Sequence, residues 1–373
     1  MTLSEPIINV GILSVEKIEF VLNGTFFATN GKSYSGTQKV ICSGETIVFD
    51  NEIFEEIIFE PMSADASFDL IDVVIGINFH WERKENQRFK GDLKIIVTSA
   101  LGHAPLLTAI NRIGVEDYLT SVISSEMSAT ASDELLKAHA VISRSWLLSS
   151  PLNPPKGDLK SQVSEHKTRN TEHETRNTKH ETQNPKLIKW YERDAHTHFD
   201  VCADDHCQRY QGITRASTAA VEKAIDATRG EVLWYDGEIC DARYSKSCGG
   251  ISETFENCWA PEHYPYLTPV IDNPTNPKGY NLDLTVEENA QKWIRQSPEA
   301  FCNTSDKKVL EQVLNNYDQE TTDFYRWKVT YTQTEIAELL MRRSGIEFGE
   351  IIDLIPLKRG ESGRIIELIV QCH

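Results

Sequence analysis

The residues with the most chemical promise lie between Val115 and Leu148, in the run VEDYLTSVISSEMSATASDELLKAHAVISRSWLL. Glu126 stands there between Ser125 and Met127, with no basic residue within five positions on either side. A carboxyl group among apolar neighbours at a helix end can keep its proton long enough to act as a general acid. Lys137 and Arg144 are seven residues apart, so a helix projects them from nearly the same face. One acid facing two cations suits a polyanionic or sugar-acid substrate. A second constellation is Arg243–Glu253, RYSKSCGGISE. A strand ending in paired Gly249 and Gly250 lets the backbone approach a ligand closely, and alternation puts Tyr244 and Lys246 on one face. The third is His196–Gln208, HTHFDVCADDHCQ. Zinc takes thiolate and imidazole ligands tetrahedrally, and Cys202 and Cys207 are within chelating reach, with His196 and His198 on the Cys202 face of a strand. On spacing alone, zinc, a local disulfide and free thiols all remain open.

These residues need elements to hold them. Val115, Leu119 and Val122 recur at helical spacing, with Glu116 and Asp117 in the first turn. Ser132, followed by Asp133 and Glu134, announces a second helix after a short polar break. Upstream, residues 5–60 alternate apolar and polar residues around Ile8–Ile12, Ile18–Leu22 and Ile47–Phe49. They read as a meander with turns at Asn23-Gly24 and Asn30-Gly31. A further strand pair enters at Arg88–Leu93 and ends near Val97. Residues 151–186 open with prolines and then carry three imperfect heptads, EHKTRNT, EHETRNT and KHETQNP. With no apolar seam they read as a disordered repeat insertion, whose recurring His166, His173 and His180 fit either repeat duplication or, as the lesser alternative, a metal-binding tract. Beyond it, strands are expected at 196–202, 209–212, 232–235 and 242–245, and helices at 217–228, 290–295, 307–314 and 333–343. Closing strands at 351–356 and 365–370 flank the turn Glu361–Arg364.

Composition narrows the function classes. The 373 residues carry 56 Asp and Glu against 38 Lys and Arg, a net charge of −18. That argues against a duplex nucleic-acid binder and against polybasic membrane contact. No run approaches the length of a membrane span. Eight cysteines are too few for a disulfide scaffold. Cys240, Cys248 and Cys258 could pair in an oxidising compartment, Cys248 with Cys258 first, or stay thiols in a reducing one. The opening MTLSEPIINVGILSVEKIEF has neither a basic n-region nor an apolar h-region, so no signal peptide is expected in this chain.

The run Asn111-Arg112, Glu116–Leu119, Ser125–Met127, Leu136–Val141 and Arg144-Ser145 resembles the core of the stage II sporulation protein D / amidase-enhancer (SpoIID/LytB) family. The opening IINVGIL and the segment RFKGDL match the usual lead-in to that core. The resemblance implies an α+β fold, with mixed strand layers around a two-helix catalytic core and a cleft between lobes. It divides the chain into a strand-rich lobe at 1–100, the helical core at 101–150, the insertion at 151–186 and the rest of the same domain at 187–373. It implies a peptidoglycan lytic transglycosylase that cuts MurNAc–GlcNAc β-1,4 bonds to a 1,6-anhydro product, with Glu126 as general acid/base. Lys137, Arg144, Tyr244, Lys246, Ser247, Gly249 and Gly250 become substrate-binding residues. His139 stands where the family more often has Gln, and Ser128 where it often has Pro. Some members bind zinc through one His and two Cys, which implies a structural Zn(2+) on His196, Cys202 and Cys207, with His198 or His206 as substitute. The partners implied are glycan strands and a cell-wall amidase, and the location is extracytoplasmic. Two alternatives stay open: a non-catalytic glycan-binding enhancer of an amidase, and a zinc hydrolase, which two thiolate ligands disfavour.

Overall fold

A computed structural model describes residues 5–77, 82–99, 104–149, 196–214, 217–314 and 324–372. The repeat insertion lies outside them. The described residues divide into two compact units, one comprising those within 5–149, 196–249 and 300–325, the other those within 250–299 and 326–372.

The first unit is built on β1 (Ile7–Val15), β2 (Lys17–Ala28), β3 (Ser33–Ser43), β4 (Thr46–Phe49), β5 (Glu52–Phe54), β6 (Glu56–Pro61), β7 (Ser67–Ile75), β8 (Arg83–Phe89), β9 (Asp92–Thr98) and β10 (Leu106–Gly114). Together with β11 (Val201–Cys202) they make one mixed sheet, with β1 at the centre of a β11-β1-β10-β9 run. The α+β expectation is met. In β2, Ile18, Phe20 and Leu22 are buried while Lys17 and Glu19 face out, the period-two pattern of a half-buried strand. Asn30-Gly31 is a turn as expected, with Gly31 at φ +81°. Asn23-Gly24 is not. It stays inside β2, where Gly24 at φ +113° absorbs an irregularity between Leu22 and Phe26. Before that point β2 pairs with β7, and after it with β6. The dipeptide bends a strand between two partners instead of reversing the chain.

Two helices follow β10: α1 (Val115–Glu126) and α2 (Asp133–Ser149). The Glu5 carboxylate accepts the Glu116 N–H at 2.8 Å, at the start of α1. Ser132 caps α2, its hydroxyl accepting from the Leu135 N–H at 3.4 Å. Tyr118, Leu119 and Val122 of α1 and Leu136 and Ala140 of α2 are fully buried in the core shared with the sheet. An aromatic ladder ties the layers together: Phe68–Phe89 at 5.4 Å, Phe89–Tyr210 at 5.9 Å and Tyr210–Tyr118 at 5.0 Å. Each such pair adds about 0.5–1.5 kcal/mol beyond burial. Next, α3 (Ala219–Ala227), capped by Thr218, packs against both helices.

Three expected strands shrink or vanish. Of 196–202, only β11 pairs, in parallel with β1. Upstream of it, Asp200 takes the Asn9 N–H at 2.7 Å and the Asn9 side-chain amide at 3.0 Å, and the Phe199 ring lies where a Cβ on Gly11 would be. Side-chain contacts replace ladder bonds there. Residues 209–212 and 242–245 form no strand. A short hairpin, β12 (Trp234–Tyr235) with β13 (Glu238–Ile239), stands near the expected 232–235.

The remaining elements are α4 (Phe255–Cys258), α5 (Glu287–Gln296), α6 (Lys307–Val313), α7 (Gln333–Ser344), β14 (Ile351–Arg359) and β15 (Ile365–Cys372). The first unit takes α6 and the second takes the others. A small core of Ile251, Leu284 and Trp293 anchors the second unit. Its Glu253 carboxylate accepts from the Ser362 N–H and hydroxyl, the Thr254 N–H and the Asn257 amide. Among the described residues, no helix is long and apolar enough to cross a membrane.

Candidate active site

Glu126 is the last residue of α1, where the helix dipole opposes a carboxylate and donors must compensate. Three partners surround it. The Tyr244 hydroxyl donates to Oε2 at 2.6 Å, His139 Nε2 lies 3.1 Å from the same oxygen, and the Arg209 N–H donates to Oε1 at 3.0 Å. The Glu126 side chain keeps 17% of its surface exposed, so the acid is held but reachable. Burial, then the neighbouring Glu126, pushes the Tyr244 phenol well above its ordinary value, so it stays a donor. Gln208 fixes that phenol from behind: its amide donates to Tyr244 Oη at 3.1 Å and its carbonyl oxygen accepts from the Tyr118 hydroxyl at 3.1 Å. His139 and Ser143 share a face of α2, one on Glu126 and the other donating to Tyr244 Oη at 3.4 Å.

Immediately before Gln208 lies a cluster of four potential ligands. One nitrogen or sulfur from each of His196, Cys202, His206 and Cys207 lies within 4.8 Å of every other. His196 Nε2 is 3.3 Å from the Cys207 sulfur, and His206 Nδ1 is 3.5 Å from it and 3.8 Å from the Cys202 sulfur. The Cys202 thiol is held down to about 3, chiefly by hydrogen bonding with Cys207, against the upward pull of burial. Two thiolates with two imidazoles make the donor set of a structural zinc site. Of the two substitute histidines, His206 joins the group, whereas His198 is exposed outside it.

The family model described as Stage II sporulation protein matches residues 104–235. This segment belongs to the SpoIID family. A second model, described as Domain of unknown function (DUF8618), matches residues 253–373. Over 161 residues the chain is 27% identical to an uncharacterized protein of Brachyspira hyodysenteriae, covering 43% of this chain and 33% of that protein. Over 167 residues it is 23% identical to Stage II sporulation protein D of Bacillus subtilis, covering 43% of this chain and 39% of the relative. The match therefore spans well under half the length of both curated relatives.

Within the SpoIID segment the two expected cation partners part company with Glu126. Arg144 is fully buried and makes a two-pronged ion pair with Glu116, at 3.1 and 2.6 Å, while its third nitrogen donates to the Glu231 carbonyl at 3.0 Å. With its donors engaged inside the protein, Arg144 is a structural residue and not a substrate contact. Lys137 donates to Glu134 at 2.9 Å on the outer side of α2. Equal helical phase put both cations on one face, but the phase cannot say that the Arg144 end of that face is covered. Tyr244 does reach Glu126, although from a loop, so strand alternation is not what aligns it with Lys246. Lys246 is exposed, and the Ser247 hydroxyl is buried with no hydrogen-bond partner among the described residues. Gly249 and Gly250 both take positive φ, a turn conformation that glycine adopts without strain. Of the pairings left open for Cys240, Cys248 and Cys258, the structure brings Cys248 close to a different cysteine, its sulfur lying 3.8 Å from that of Cys302. Sequence reading missed Arg209 and Gln208, which act through a backbone N–H and a buried amide. Neither leaves a mark in residue spacing.

Proposed function

We propose that this chain acts on bacterial cell-wall peptidoglycan as a lytic transglycosylase, with Glu126 as general acid and base. The SpoIID segment supports a cell-wall-related role, and the three-sided hold on Glu126 carries the finer reading. Hydrolysing glycosidases use two carboxylates flanking the bond. Glu126 is instead surrounded by a phenol, an imidazole and a peptide N–H, while Glu116 on the same helix is tied to Arg144. A single carboxyl suffices when the nucleophile is internal. Glu126 gives its proton to the glycosidic oxygen as the C1–O bond breaks. It then takes the proton of the muramyl C6 hydroxyl as that oxygen closes on C1, leaving a 1,6-anhydro end and consuming no water. Tyr244, Arg209 and His139 fix the carboxyl for both transfers. The exposed Lys246 follows Tyr244 by two residues and offers a charge for a lactyl carboxylate. Such a substrate implies an extracytoplasmic location.

His196, Cys202, His206 and Cys207 would hold a zinc ion, which supplies a cross-link when bound. Gln208 and Arg209 follow Cys207 directly, so a fixed cluster fixes the groups that orient Tyr244 and Glu126. Glu126→Gln tests the assignment: the amide keeps the shape but cannot transfer the proton. Cleavage of purified glycan strands should fall by at least about a hundredfold with glycan binding and melting temperature nearly unchanged. Cleavage at the wild-type rate would remove Glu126 from the chemistry. Binding by both proteins and cleavage by neither would assign the non-catalytic role of stimulating a wall amidase.

A further inference from the structure

Cys248 and Cys302 are 54 residues apart in the chain, yet their sulfurs lie 3.8 Å from each other. Both residues belong to the first unit and both are half-buried, so a small reagent can reach them. Sulfurs in van der Waals contact need only small side-chain rotations to close to a bond length of about 2.05 Å. The path of the chain adds a second observation. It leaves the first unit after Gly249 and returns to it at Ala300, so Cys248 stands just before the exit and Cys302 just after the return. A third concerns the residues that lead to the exit. Residues 240–250, which follow β13, form neither helix nor strand, and they carry Tyr244, whose phenol donates to Glu126. A loop with no ladder of its own is held only by its side chains and its two ends.

We propose that Cys248 and Cys302 form a disulfide, made by exchange with an oxidised thiol of the glutathione class, that closes the 250–299 excursion and pins the loop carrying Tyr244. Each cysteine gives up a proton. One thiolate bonds to a sulfur of the oxidant and expels the other half as a thiolate. The second cysteine thiolate then bonds to the sulfur of the first and expels the remaining half. The two expelled thiolates take up the two protons, so the oxidant is reduced to two thiols as the protein pair loses two electrons. The bond costs the native fold little, because the sulfurs already touch, whereas it removes freedom from the unfolded chain between them. It also fixes the far end of the Tyr244 loop. With β13 holding one end and the disulfide the other, Tyr244 has less room to leave Glu126. That consequence for catalysis alone rests on the activity proposed above.

The test is peptide mapping of the full-length protein equilibrated in glutathione buffers of graded redox ratio, then quenched in acid and alkylated. Trypsin with glutamyl endopeptidase releases Cys248 in 247–253, apart from Cys258, and Cys302 in 300–307. The expected result is a link between these two peptides, formed about a hundredfold more readily by folded than by guanidinium-unfolded protein, since a native disulfide and the fold favour each other to that extent. In the folded protein, tryptic cutting after the exposed Lys246 should slow about tenfold on oxidation. Cys302→Ser and Cys302→Ala should be cut at the faster rate under both conditions, which separates this pair from oxidation elsewhere. A Cys248–Cys258 link, two alkylated thiols under oxidising conditions, or thiols shielded by a metal ion until a chelator is added would each overturn the proposal. So would equal oxidation of folded and unfolded chains, or cutting at Lys246 that ignores oxidation. Neither measurement uses glycan cleavage, and Glu126→Gln should give the same link, so failure here leaves the assignment of Glu126 untouched.

Discussion

Arg144→Met should cost about 3–5 kcal/mol of stability, because it strands Glu116 as an unpaired charge in a dry site. Adding Glu116→Gln should recover much of that loss, which a double-mutant cycle read by denaturant unfolding measures. A stable Arg144→Met protein with a raised KM for glycan would instead return Arg144 to the substrate site. His139 calls for a different experiment. It sits on Glu126 Oε2 with its Nδ1 buried and without a hydrogen-bond partner among the described residues. His139→Gln keeps a hydrogen-bond donor for the carboxylate and nearly the same reach. Activity should survive within about tenfold, whereas His139→Leu, which leaves Glu126 Oε2 one partner short, should lose more. Equal activity of the two variants would make His139 a packing residue. Isolation among uncharged neighbours marked Glu126 only as a candidate, and it was the family resemblance that put Tyr244 across from it, where the two now lie 2.6 Å apart. Arg144 was misread because helical phase records direction and not what covers a face.

The loop from Val201 to Gly212 carries the site at the scale of elements. Its anchors are β11 on β1, the Arg209 N–H on Glu126, and Tyr210, whose hydroxyl donates to Asn111 at 2.6 Å beneath the aromatic ladder. Purified protein should carry about one zinc per chain, and Cys202→Ser should lower the melting temperature first and activity only as a consequence. Elemental analysis read beside thermal melts decides this. Zinc-free protein with a Cys202–Cys207 disulfide by mass would end the metal reading. In the metal-free protein the Cys202 thiol is held to about 3, against roughly 8.5 for an unfolded thiol. A depressed value of this kind contributes stability that is fully present above the unfolded pKa and lost as pH falls through the folded one. Metal-free wild type should therefore lose more stability than Cys202→Ser between about pH 8.5 and 3, as followed by denaturant melts. Histidine and cysteine spacing revealed the cluster. The strands expected to align it were an error, since turns and the Asp200–Asn9 bonds do that work and leave no period in the sequence.

For the molecule as a whole, the excess of acidic residues predicts that the protein passes through a heparin column at low salt and does not shift duplex DNA. Retention under those conditions would mean that charge distribution outweighs net charge. The strand-rich N-terminal half was legible because each strand buries alternate residues, as β2 does with Ile18, Phe20 and Leu22. Its pairing was not legible, since one strand can change partners at a single glycine, as β2 does at Gly24. The central claim is that one carboxyl at the end of α1 breaks a glycan strand by internal attack. Mass spectrometry of purified glycan strands after incubation tests it most directly. The account predicts new 1,6-anhydromuramyl ends, no uptake of labelled oxygen from water, and neither product with Glu126→Gln. Reducing muramyl ends carrying water oxygen, or anhydro ends still formed by the variant, would contradict it.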